Sequence, residues 1–183
     1  PSPTFAEPLA LMSDCHRRVE FFLDLLQHLG ECSATGELAV QEREALVTAL
    51  RYFREAAPRH TADEESSLFP RLRKSRHPLA AEALERIRSL EADHAAAAAD
   101  HATVEACGEE WLSTGRLSPA RRSEFRGAVE RLQARYRPHI ALEDSEVFPA
   151  AARILSQEEL QEVGREMAVR RGLDPSRIHA GLG

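Results

Sequence analysis

Six side chains in this chain are of the types that hold transition metals and stand where an apolar residue is expected: His16, His60, Glu64, His94, His139 and Glu143. The stripe Leu46, Leu50, Phe53, Ala57 steps by three and four and continues to His60 and Glu64. The stripe Phe125, Val129, Leu132, Tyr136 continues to His139 and Glu143. His16 falls between Met12 and Val19 of another stripe, and Leu84, Ile87 and Glu91 lead to His94. Polar groups at such core positions are costly unless paired, hydrogen-bonded or bound to metal.

A His-x-x-x-Glu pair sets imidazole and carboxylate one turn apart on one helix face, about 6 Å between Cβ atoms. Two such pairs plus two further histidines offer four nitrogens and two carboxylates. That set suits two transition-metal ions, each taking two imidazoles, with the carboxylates bridging and coordination positions left for a small ligand. A lone pair of this kind is as readily a surface salt bridge, and a single core histidine is usually just hydrogen-bonded; the argument rests on the whole set. The segment HTADEESSLFP from His60 also echoes HIALEDSEVFP from His139, with six of eleven residues identical. Each copy follows a proline late in a long helical segment, as expected if two helices reach one site from equivalent positions.

The elements that must position these residues read as helices. The composition is rich in Ala, Leu, Glu and Arg, which favours helix, and no segment shows strand alternation. The first helix is expected from about Pro8 to Leu29, with Gly30 as a left-handed terminus, followed by a loop at Glu31–Gly36. A second covers about Glu37 to Arg73, interrupted by Pro58, and a third about Pro78 to Leu112. Ser118 and Pro119 open a fourth that runs to about Leu155 with Pro138 inside it. Ser156 with Glu159 caps a fifth, ending near Gly172. The expected fold is an all-α, up-down-up-down four-helix bundle at residues 1–155, with an additional C-terminal helix and tail at 156–183. Pro58 and Pro138 are expected to bend their helices and aim the ligand pairs.

The net charge of −6 argues against nucleic acid as a partner, and no apolar run is long enough to span a membrane. No signal peptide is read at the N-terminus, and three cysteines (Cys15, Cys32, Cys107) without paired spacing fit reduced thiols, so a cytoplasmic location is expected. Cys15 adjoins His16, but helix neighbours point about 100° apart, so it is not counted a ligand.

On the phrases DCHRRVEFFLDLL, HTADEESSLFP, EADHAAAA and HIALEDSEVFP, covering about Pro8 to Leu155, the chain resembles the hemerythrin-like (HHE cation-binding) family. The resemblance implies a non-heme di-iron centre, with His16 and His60 on one iron and His94 and His139 on the other. Glu64 and Glu143 would bridge, with an oxo or hydroxo group between the irons. Oxygen-carrying members have a further histidine one turn after the third-helix ligand. Here that position is Ala98, which tells against reversible oxygen transport.

Around this set, Glu91 precedes His94 by three and is a candidate neighbour of a ligand imidazole. His101 lies a heptad beyond His94, in the layer of Leu23, Phe53 and Leu132, as a neutral hydrogen-bonded residue beside the site. Tyr136 faces inward one turn before His139. His28, His77 and His179 read as surface residues. The leading function is a di-iron protein that binds or senses dioxygen or a related small ligand, or handles iron. Against it stands a di-iron oxidoreductase for peroxide, nitric oxide or ferrous iron. A third reading is a structural module holding zinc or no metal; zinc or manganese would also suit these ligands. The residues leave open whether the protein is an enzyme, and nothing in them indicates a homo-oligomer, although the Gln157–Arg171 helix would be the element to mediate one.

Overall fold

The computed structural model describes residues 3–32 and 36–174. His179 and the centre of the Glu31–Gly36 loop lie outside the described residues. Every regular element described is helical, apart from one isolated bridge between Glu37 and Arg116. Helix α1 spans Pro8–Cys32, α2 spans 40–74, α3 spans Ala80–Thr114, α4 spans 119–154, and α5 spans Gln157–Arg170. The fold is thus all-α, four long helices with a shorter fifth. None of the described helices is long and apolar enough to cross a membrane.

Local chemistry sets the helix starts. The Ala39 N–H donates to the Glu42 carboxylate at 2.7 Å, and the Arg121 N–H donates to Ser118 Oγ at 3.2 Å. At α5 the expected reciprocal box forms: the Ser156 N–H donates to Glu159 and the Glu159 N–H donates to Ser156 Oγ. The first helix departs from expectation. Gly30 does not end it in a left-handed turn; α1 continues to Cys32 and Gly30 is buried within it. A Cβ at Gly30 would lie 2.8 Å from Arg126 Cγ, so the glycine serves the close approach of α4.

The expected interruption at Pro58 does not occur. Helix α2 is not interrupted at Pro58, because a π turn at Tyr52–Ala56 precedes it and the helix runs on. Pro138 is accommodated inside a regular α segment, Pro119–Leu142. It deprives the Ala134 carbonyl of a donor, but both residues are exposed, so water can replace the lost bond. The other distortions begin at the candidate ligands themselves: π turns occupy Glu64–Leu68 and Glu143–Val147, each followed by Phe-Pro. Proline has no N–H to continue the ladder, and the turn before it widens to the i→i+5 form.

The chain divides into two compact units. The first comprises Pro1–Arg17, Pro58–Ala92 and Ile140–Gly183; the second comprises Arg18–Ala57 and Asp93–His139. Each contains a segment of all four long helices. In the first unit, Met12, Leu68, Phe69, Leu72, Ile87, Leu90 and Phe148 form a core with Val163 and Met167 of α5. Burying each such side chain is worth roughly 1.5–3 kcal/mol, so α5 is a structural part of this unit. Gly164 permits that contact, since a Cβ there would sit 1.9 Å from the Phe5 carbonyl oxygen. In the second unit, Leu23, Leu26, Leu46, Leu50, Phe125, Val129 and Leu132 are buried as their spacing requires. Trp111 is buried with them and donates its indole N–H to the Gly36 carbonyl at 2.8 Å.

Candidate metal centre

Within the first unit, α1 brings His16, α2 brings His60 and Glu64, and α4 brings Glu143 to one buried point. All four side chains are buried, the two glutamates completely. One ligand atom from each falls in a group whose members all lie within 4.8 Å of one another. Glu143 Oε2 is 3.1 Å and Glu64 Oε1 is 3.7 Å from His16 Nε2, and Glu64 Oε1 is 3.2 Å from His60 Nε2. For metal–ligand bonds of about 2.1 Å, neighbouring ligand atoms stand about 3–3.5 Å apart. The spacing therefore fits a first-row transition metal, and the mix of imidazole and carboxylate suits iron, manganese or zinc.

The electrostatics agree. Burial, and then the facing charge of Glu143, hold the Glu64 carboxyl well above its usual range. Two carboxylates buried side by side repel, and a cation between them removes both penalties. At His16 burial pulls the pKa down, but hydrogen bonds to Asp144, Glu143 and Glu64 outweigh it and push the imidazole up to about 11. A site that draws a proton this strongly is one that attracts a cation.

Asp144, which the sequence reading missed, orients His16. His16 Nδ1 is 3.0 Å from Asp144 Oδ1, which also accepts from Ser13 Oγ at 2.6 Å. With Nδ1 engaged by a carboxylate, Nε2 is turned to the ligand group, and the ring's basicity as a ligand rises. Burial opposes ionisation of Asp144, but the bonds from His16 and Ser13 hold its carboxyl below the usual range. The Phe148 ring stacks on His16 at 5.3 Å and 12°, closing one face of the ligand group with apolar surface.

In the second unit His94 and His139 lie together, ring centroids 4.7 Å apart. His139 is buried and His94 half-buried. Glu143 follows His139 by four residues in the sequence, the same offset as His60 to Glu64, and His94 and His139 supply the imidazoles of a second candidate ligand group. His139 Nδ1 has Asp93 at 3.4 Å, another carboxylate absent from the sequence reading. For both histidines the missed partner sits on a different helix from its ring, although each carboxylate adjoins a candidate ligand in the sequence, Asp144 next to Glu143 and Asp93 next to His94.

The remaining candidates have definite places. His101 Nε2 and the Tyr136 hydroxyl share a hydrogen bond of 2.9 Å, and the His101 ring rests 5.2 Å from Phe53. Burial lowers the His101 pKa, keeping it neutral. Tyr136 also meets His139 edge to face at 5.9 Å. Glu91 is ion-paired with Arg73 at 2.5 Å and half-exposed. His28 and His77 are exposed, and Cys15 and Cys107 are buried thiols outside both ligand groups.

The hemerythrin HHE cation-binding domain matches residues 7–151. An uncharacterized protein of Haemophilus influenzae is 30% identical over 176 residues, covering 92% of each chain. The match spans every residue of both ligand groups. The chain belongs to the hemerythrin HHE cation-binding family, and its two His/Glu ligand groups are consistent with a di-iron centre.

Proposed function

We propose that the protein holds two non-heme iron ions and uses them to bind or sense dioxygen or a related small ligand, or to handle iron. His16 and His60 would hold one ion, His94 and His139 the other, and Glu64 and Glu143 would bridge them. The observation that carries this reading is the convergence of two buried histidines and two fully buried glutamates at metal-polyhedron spacing. Such an arrangement has no rationale as apolar packing.

An iron pair supplies reversible redox chemistry and coordination positions that the side chains leave vacant. The chain's own groups prepare that site. Asp144 and Asp93 orient His16 and His139, the two glutamates neutralise cationic charge, and Phe148 excludes water from one face. Tyr136, fixed by neutral His101, presents its ring to His139.

The same donors suit zinc or manganese, so elemental analysis of protein purified without added metal comes first. Anaerobic reconstitution with ferrous iron, followed by air, is expected to yield a charge-transfer band that reverses on deoxygenation. A colourless protein indifferent to metal would overturn the reading. One observation favours a second reading as a di-iron oxidoreductase. Ala98, one turn beyond His94, supplies no ligand atom. Catalytic turnover of peroxide, nitric oxide or ferrous iron well above that of free iron would select it.

A further inference from the structure

Asp63 immediately precedes Glu64 and is fully buried. A carboxylate so placed needs cationic partners, and both come from the C-terminal end of α5. Arg170 Nη1 donates to Asp63 Oδ1 at 2.8 Å, and Arg171 donates to Oδ2 at 2.7 Å and to Oδ1 at 3.2 Å. The second guanidinium nitrogen of Arg170 donates to Ser67 Oγ. The arginines therefore grip the chain one residue before Glu64 and three residues after it, spanning the π turn Glu64–Leu68. A π turn is rare and usually confined to single turns at functional sites, so partners outside the helix have an evident task in holding it. The other turn, Glu143–Val147, has Leu142 in the position of Asp63 and no contact with α5 of this kind; its outside partners are Arg86, which donates to Glu146 at 2.9 Å, and Ser13 and His16, which meet Asp144.

We propose that Arg170 and Arg171 are positioning residues of the metal centre: by holding Asp63 and Ser67 they keep the Glu64 turn in the wide form that delivers Glu64 to His16 and His60. Helix α5 is then a working part of the site. The consequence for metal binding rests on the ligand reading above; the effect on the turn does not.

The test uses the full-length, metal-free protein and follows amide hydrogen exchange in both π turns. In R170Q/R171Q the amides of Glu64–Phe69 are expected to exchange at least about tenfold faster, with those of Glu143–Phe148 unchanged. R170K/R171K, which keeps the charge but not the forked grip, is expected to fall between it and the original protein. V163A, which loosens α5 through its apolar contact alone, is expected to leave the contrast between the turns unchanged. Cobalt(II), titrated by its ligand-field absorption, is expected to bind R170Q/R171Q about tenfold or more weakly. Should that variant not fold, D63N is expected to give the same pattern at smaller amplitude. Equal exchange in the two turns, or a V163A effect matching that of the arginine pair, would overturn the proposal. An original protein that takes up no cobalt would instead overturn the ligand reading, and the exchange contrast would still decide the role of the arginines.

Discussion

The stretch from His60 to Pro70 and the stretch from His139 to Pro149 share six identities, an HxxxE pair and a π turn that begins at the glutamate and closes before Phe-Pro. Their wiring to the surroundings is nonetheless different. In the first, an acidic residue precedes the glutamate as well as following it: Asp63 is buried and faces the arginines of α5. In the second, that position is Leu142, packed against the apolar core, and only the following residue is acidic. There Asp144 turns to His16 and Ser13. The shared residues thus build the backbone turn and the ligand, whereas the differing residues decide what supports it. The first turn is held through a buried carboxylate by two arginines of α5, whereas the second is held by Ser13 and Arg86 and also bonds His16 through Asp144.

The largest effect should come from the shared glutamates. On the di-iron reading proposed above, Glu64→Ala and Glu143→Ala are each expected to lower iron from two ions per chain to fewer than one, measured by elemental analysis. Full occupancy in either variant would break the equivalence of the two copies.

Next in size is the exchange of one copy's wiring for the other's. Asp63→Leu leaves Arg170 and Arg171 without their buried partner, and both are only about one-fifth exposed. Breaking a buried pair this way costs about 2–3 kcal/mol here, at or below the low end for fully buried charges. Urea melts of the metal-free protein would register the loss, and Asp63→Leu combined with R170M and R171M should recover most of it.

In the second copy, Asp144→Asn weakens the orientation of His16 and is expected to reduce metal affinity about 10–100-fold in chelator competition. Glu65→Gln, at the matching position of the first copy, is expected to leave affinity unchanged. Equal losses would mean that the acidic neighbours are interchangeable after all.

The smallest effect lies outside both turns. Burial lowers the pKa of His101 below its usual 6.5. Between those values the unfolded chain binds a proton that the folded chain refuses. The contribution of His101 to stability is therefore intact above pH 6.5 and is lost as pH falls through the lowered value. His101→Gln should remove that part of the acid sensitivity, less than about 1 kcal/mol between pH 7 and 5, read from urea melts. An unchanged pH dependence would place His101 in a wetter setting than its contacts with Tyr136 and Phe53 indicate.

Much of this was legible in the chain itself. The seam positions 46, 50, 125, 129 and 132 are buried as their spacing requires, and the polar breaks at 16, 60, 64, 139 and 143 are buried too. The prolines were harder. Pro58 and Pro138 drew attention for preceding ligands, yet the widened turns at the ligands belong to Phe69-Pro70 and Phe148-Pro149. The echo contained that information, because both copies end in the same dipeptide. Gly30 misled for a related reason: a glycine near a helix end serves a left-handed turn or a close contact, and only the position of Arg126 distinguishes them.

Periodicity, the HxxxE pairs and the capping residues determined the all-helical fold, the element order and the identity of the inward-facing polar groups. These depend on interactions within a few residues, where helix geometry alone dictates which side chains share a face. The pairing of Asp144 with His16, of Asp93 with His139, and of Asp63 with two arginines more than a hundred positions away was decided by tertiary structure. A carboxylate on a helix surface has many partners within reach, and which one it meets depends on how the helices pack, a property no local spacing encodes.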